Sequence, residues 1–155
     1  MNHADYMEIA IREAGKAGQK DEVPVGAVLV DSRGNILSAS HNQTIFLSDP
    51  TAHAEILVLR EAAARTQNYR LLSTVLYVTV EPCVMCMGAI IHARVSTLVF
   101  GTEDAKWGAA GSLYHFAQDQ RLNHRPKVVG GIRRETCRRL MQDFFKHKRM
   151  HKIVE

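Results

Sequence analysis

Between residues 74 and 93 the chain changes character once, and abruptly. Thr74 to Val80 is β-branched and aromatic, the composition of a buried strand. Glu81-Pro82 ends it, and Cys83 to Ala93 reads as a helix, because proline is tolerated at a first helical position. A strand that feeds straight into a helix needs a sheet to lie in and a sheet face for the helix to cover. The rest of the chain supplies both. Asp5 and Glu8 have capping-box spacing, and Met7, Ala10, Ile11 and Ala14 form an apolar stripe, predicting a helix near 5–18. Val23 to Val30, the turn residues Ser32-Arg33-Gly34-Asn35, and Ile36 to Ser40 predict a β-hairpin. A polar loop over 42–52 leads to a helix starting near Thr51–His53 and ending about Thr66. Thr97 to Phe100 is a short strand closed by Gly101, 102–112 a loop, Ser112 to Gln118 a short helix, and Lys127 to Val129 a last strand. A helix over 134–149 keeps Cys137, Leu140, Met141 and Phe144 on one face. Strands interleaved with helices imply an α/β fold, a mixed or parallel sheet covered on its faces.

The chain's 155 residues suffice for one domain and are short for two. The longest strongly apolar piece, Pro82 to Ala93, falls short of the roughly 18 residues of a membrane span. Asp5 and Glu8 sit where a targeting peptide is acid-poor, and three irregularly spaced cysteines do not make a disulfide scaffold. Both observations favour a cytoplasmic protein. Charge is divided unevenly: residues 121–155 carry 11 Lys and Arg against three Asp and Glu, whereas residues 1–120 carry nine against 13. A basic segment beside an acidic body suggests a polyanionic partner, nucleic acid first, although a solvated helix face has the same composition. The helices at 53–64 and 83–93 are apolar almost all round. In so small a domain, the outer side of such a helix is expected to meet a second copy, making a homodimer.

The chemistry concentrates in His53-Ala54-Glu55 and Pro82-Cys83-Val84-Met85-Cys86. Imidazole and thiolate are the ligands zinc prefers, and cysteines three apart at a helix start present both sulfurs on one side. Three protein ligands leave a fourth position open, as catalytic zinc sites do. Residues two apart, such as His53 and Glu55, both approach one metal only when it sits over a helix end. The N-terminal ends of two helices are therefore predicted to converge on the ion. Glu55 acts on water and is not a ligand: zinc balanced by two thiolates is formally neutral, which makes a nearby proton acceptor valuable. Three other readings stay open: a redox pair of thioredoxin type, a structural zinc site completed by Cys137, and a hydrogen-bonded core histidine.

His-x-Glu with Pro-Cys-x-x-Cys is the zinc nucleobase deaminase signature, and the chain resembles the cytidine-deaminase-like superfamily. Within it, the bacterial tRNA-specific adenosine deaminases are the closer likeness. It is carried by Glu22 to Val28, Asp49-Pro50-Thr51-Ala52-His53-Ala54-Glu55-Ile56, Asn68 to Leu71, Leu76 to Cys86, Asp104-Ala105-Lys106, Gly108 to Leu113, Asn123-His124-Arg125 and Asp143 to Lys146. The resemblance implies a three-layer α/β/α sandwich around a five-stranded mixed sheet, a single domain over 1–155, and a homodimer with one zinc per subunit. It assigns His53, Cys83 and Cys86 to the metal and Glu55 to proton shuttling. It assigns Asn42 to a hydrogen bond with the target base, where the residues alone suggest a turn cap. Ala54, Asp104, Lys106, Asn123 and Arg149 complete the implied substrate and RNA contacts. The implied reaction is conversion of adenosine to inosine at the wobble position of a tRNA anticodon stem-loop. A guanine or cytosine deaminase is the alternative within the class. Met87 and Trp107 depart from the family's pattern.

Overall fold

The computed structural model describes residues 1–154, with side chains described through His151. In chain order the elements are α1 (His3–Gln19), β1 (Gly26–Val30), β2 (Ile36–His41), α2 (Ala54–Thr66), β3 (Val75–Val80), α3 (Val84–His92), β4 (Thr97–Thr102), β5 (Lys127–Val129) and α4 (Arg134–Val154), with one 3-10 turn at Phe116–Gln118. One five-stranded sheet runs in the order β2-β1-β3-β4-β5. β1 pairs antiparallel with both β2 and β3, while β3, β4 and β5 are parallel, so the sheet is mixed.

Strand alternation sorts the core into two layers. Ala27 and Leu29 of β1, Leu76, Val78 and Val80 of β3, and Leu98 and Phe100 of β4 pack with Val58, Ala62, Met87 and Ile90 from α2 and α3. Val28, Val30, Tyr77 and Val99 point the other way, onto Tyr6, Met7 and Ala10 of α1 and Cys137 of α4. Helices on both faces make the expected three-layer sandwich.

Several boundaries differ from the sequence expectation, each for a local reason. The N-cap of α1 is Asn2 and not Asp5. Asn2 Oδ1 accepts the Asp5 N–H at 2.9 Å and Asp5 Oδ2 accepts the Asn2 N–H at 2.9 Å, so Asp5 fills the third position of the capping box. β1 starts at Gly26 because Val23-Pro24-Val25 folds into a tight turn, with Val25 N–H on Val23 O at 2.8 Å. Gly26 then runs against the backbone of α1, where a Cβ would lie 2.5 Å from Ala14 N and closer still to Ala10 O. β4 does not stop at Gly101 but continues to Thr102. A side chain at 101 would meet Thr79 O at 2.6 Å and Cys137 Cβ at 2.9 Å, so glycine here permits close packing and does not break the strand. The helix expected over 112–118 shrinks to the single turn at Phe116–Gln118, since Ser112 is tied to a buried carboxylate and Ala110 bridges His115. α3 starts at Val84 with Cys83 as N-cap, leaving Pro82 outside the helix. α4 runs five residues past the expected end at 149.

Candidate active site

β3 delivers Cys83 at the start of α3, and the loop after β2 delivers His53 at the start of α2. Both residues are N-caps with extended backbone, and neither makes a side-chain capping bond. The two helix ends therefore converge, as the His-x-Glu spacing demands. His53 Nδ1 lies 3.7 Å from Cys83 Sγ and 3.5 Å from Cys86 Sγ. The three donor atoms all fall within 4.8 Å of one another. Tetrahedral zinc with bonds of about 2.3 Å to sulfur and about 2.0 Å to nitrogen separates those two ligand atoms by about 3.5 Å. The spacing and the donor chemistry both fit zinc.

Protonation points the same way. Hydrogen bonding from the Cys86 thiol, and then from His53, brings Cys83 down to about 4. Cys86 is driven far upward by the Cys83 sulfur beside it and by burial. The hydrogen bond with Cys83 raises His53. Two thiols and an imidazole this close form a donor set that a divalent cation can hold with both sulfurs ionised. Cys137 is buried on α4 beneath Gly101, away from this group, and is not a fourth ligand.

Glu55 sits in the first turn of α2, buried and within electrostatic reach of His53 and Cys83. Burial pushes its carboxyl up to about 7, close to the range where a carboxyl can both take and give a proton at neutral pH. Asn42 is buried at the start of the same helix. Its Oδ1 accepts the Ala54 N–H at 2.8 Å, so it does cap, but it caps α2 from twelve residues upstream and not a local turn. Ala54 itself has no exposed surface, and its amide is engaged by Asn42.

Two further carboxylates shape the rim. Glu81, buried, accepts backbone N–H groups from Asp104 at 3.1 Å, Ala110 at 2.9 Å and Ser112 at 3.0 Å, together with the Ser112 hydroxyl. Gly108 lies so close that a Cβ would meet Glu81 Oε1 and Asp104 O at 2.5 Å each. Glu22, buried beneath the loop after Asn42, accepts the N–H groups of Ile45 at 3.2 Å and Phe46 at 2.9 Å. The sequence marks Glu81 as a strand terminator and places both residues within the blocks that carry the family likeness, without showing what either carboxylate holds. An acidic residue closing a strand that carries no other charge is the signal that could have marked Glu81.

The expected RNA contacts are more scattered. Asp104 is half-buried and turns its carboxylate onto its own loop, accepting the N–H groups of Lys106 at 3.0 Å and Trp107 at 3.2 Å. Lys106 is exposed. Asn123 is exposed and lines a cleft of about 360 Å³ with Val84, Gly88 and Ile91 of α3, directly beyond Cys83. Arg149 is exposed on α4, in the layer opposite α2 and α3. That helix starts with Arg134 on Glu103 at 2.6 Å and reaches the end of α1, where Lys148 meets Asp21 at 2.6 Å. Among the described residues no helix is long and apolar enough to cross a membrane.

Comparison with known proteins agrees with this arrangement. Residues 1–102 match the cytidine and deoxycytidylate deaminase zinc-binding region. The tRNA-specific adenosine deaminase of Haemophilus influenzae is 50% identical over 149 residues, covering 96% of this chain and 86% of that protein. A solved structure from a study of A-to-I editing by tRNA:A34 deaminases at the wobble position superposes with a TM-score of 0.85 at 43% identity, over 88% of this chain and 98% of that one. The guanine deaminase of Bacillus subtilis is more distant, with a TM-score of 0.65 at 34% identity over 72% of this chain and 71% of that one.

Proposed function

The chain belongs to the tRNA-specific adenosine deaminases within the cytidine and deoxycytidylate deaminase family, and from that premise we propose that it hydrolyses adenosine to inosine at the wobble position of a tRNA anticodon loop. One observation carries the reading: a three-donor metal cluster at the meeting of two helix ends, with a buried carboxyl beside it and no fourth protein ligand among the described residues. Zinc held by His53 Nδ1, Cys83 Sγ and Cys86 Sγ supplies Lewis acidity toward water.

The chain's own residues do the rest. Glu55 takes a proton from the water that attacks C6 of adenine and hands it to N1. It then takes the remaining proton from the new C6 hydroxyl and delivers it to the departing amine, so that C6 becomes a carbonyl and ammonia leaves. Asn42, its carbonyl oxygen occupied by Ala54, has its amide NH₂ left to donate to the base. Adenine C6 is reached only in an unstacked base, and a loop nucleotide is extruded at less cost than a paired one. Lys106, Asn123 and Arg149 are assigned to the flanking RNA; a basic segment over 121–155 has no use on a free base.

The catalytic unit is read as one domain over 1–155, acting in the cytoplasm as a homodimer. The dimer reading is supported by the outer side of α3, where Val84 is 44% exposed and faces the same cleft as Gly88, Ile91 and Leu122. Light scattering at twice the chain's 17.4 kDa is the expected result. The function is tested by incubating the zinc-loaded protein with anticodon stem-loops and mapping A-to-inosine changes. Turnover of guanine or cytosine as free bases, with none on any stem-loop, overturns it in favour of the alternative deaminases.

A further inference from the structure

The loop from Asp104 to Ser112 carries the chain's single tryptophan, and it holds that ring in the open. Trp107 is 67% exposed. Among the described residues it has no ring partner, whereas nearby Tyr114 and Phe116 already stack on each other at 5.6 Å with planes 3° apart. Leaving a large apolar ring in water forgoes burial that folding could have supplied. Mobility does not explain the exposure, because the backbone beneath the ring is pinned. The N–H groups of Lys106 and Trp107 donate to Asp104 Oδ1, Gly108 N–H donates to Asp104 O at 2.8 Å, and Glu81 gathers the two ends of the loop.

The same loop is bonded to the metal-bearing turn. Ala109 N–H donates to Pro82 O at 2.8 Å, and Pro82 immediately precedes Cys83. From Trp107 through Ala109 and Pro82 to Cys83, the backbone path bounds the separation at about 15 Å. An exposed indole on a pinned backbone, with an exposed lysine as its sequence neighbour, supplies the two groups that single-stranded nucleic-acid binders use. The ring stacks on any base face and the cation meets the phosphate.

We propose that Trp107 is a stacking platform for an unpaired base flanking the one that is deaminated, with Lys106 on the adjoining phosphate. The proposal rests on the RNA deaminase reading above and adds a specificity contact to it. An anticodon loop that splays one base into the site must also find a place for its neighbours, and the rim beside Cys83 offers this ring.

Because Trp107 is the only indole, its emission reports on itself. Zinc-loaded protein is titrated with an anticodon stem-loop that it deaminates. A second set of RNAs carries an abasic site at the nucleotide 5′ or 3′ of the target adenosine, or in the stem. The intact RNA quenches the emission, one flanking abasic site abolishes the quench and weakens binding, and the stem abasic site does neither. W107A raises KM for the stem-loop roughly 5- to 150-fold while kcat is held, and W107F restores most of the loss. Turnover of the stem-loop with unchanged emission, or W107A working at the wild-type KM, overturns the proposal and leaves the deaminase reading standing. An emission change that follows protein concentration without RNA assigns the ring to a contact between copies and also overturns it. Failure of the wild-type protein to bind any stem-loop overturns both.

Discussion

Replacing Glu81 with glutamine keeps the volume and exchanges one acceptor for a donor. The two oxygens serve different partners: Oε2 takes the N–H groups of Ala110 and Ser112, and Oε1 takes Asp104 N–H and the Ser112 hydroxyl. An amide nitrogen at Oε2 faces two backbone donors. At Oε1 it faces one, and the Ser112 hydroxyl can turn to accept from it, so this is the cheaper placement. It still strands the Asp104 N–H, which costs about 1–3 kcal/mol, and removes the negative charge that strengthens the remaining bonds. A total of about 2–4 kcal/mol follows. For a chain of this length each kcal/mol moves Tm by about 2–4 °C, so Glu81→Gln is expected to melt about 4–16 °C lower. Calorimetry measures that, and amide exchange localises it: the N–H groups of Asp104, Ala110 and Ser112 lose protection while those of β3 keep theirs. Zinc content stays stoichiometric. Ser112→Ala, which removes only the hydroxyl bond, costs about 1 kcal/mol or less. A Glu81→Gln protein that melts within about 2 °C of wild type, with the loop amides still protected, refutes the reasoning.

The remaining expectations are shorter. Glu55→Ala keeps zinc and RNA binding but loses at least about 10²-fold in turnover; single-turnover assays retaining wild-type rates would remove the assigned proton transfer. Cys83→Ala drops zinc below one per chain in elemental analysis and lowers Tm, and full occupancy would refute its place among the ligands. Glu13 supplies a pH test. Burial works to raise its carboxyl, but hydrogen bonds from Lys16 and His41 outweigh it and hold the group below its ordinary 4.5. A carboxyl lowered by folding stabilises above its unfolded pKa, and that stability is lost as pH falls through the folded value. Tm of the wild type therefore drops below about pH 4.5, and Glu13→Gln flattens that part of the curve. Parallel acid limbs in the two proteins count against the assignment.

The two core layers and the metal triad were legible in the sequence because each depends on residue type at short range. The unbroken apolar runs of β1 and β3 record a sheet covered on both faces, and the periodicity of α1 and α4 records which side of each helix packs against it. Imidazole and thiols in fixed spacing record a metal. What escaped was set by partners distant in sequence. Glu81 is defined by amides 23 to 31 residues away, and those amides are backbone, present at every residue and so invisible as a pattern. Gly101 looks like a strand stop until Cys137 is seen packed against it. Asn42 looks like a turn residue until Ala54 arrives as its donor. Asp104, expected from the resemblance to contact RNA, has its carboxylate turned to its own loop, a detail of local geometry that composition does not encode.

His53 and Cys83 hold the positions from which a side chain ordinarily secures the first turn of a helix, and both are diverted to another task. Asn42 makes good part of the loss for α2. The helix starts are thus the weak seam of the molecule, while β1, β3 and β4 draw their support from side chains that never touch the ion. Stripping the metal should fray the mouth and spare the scaffold, so the enzyme can be emptied and reloaded without passing through the unfolded chain.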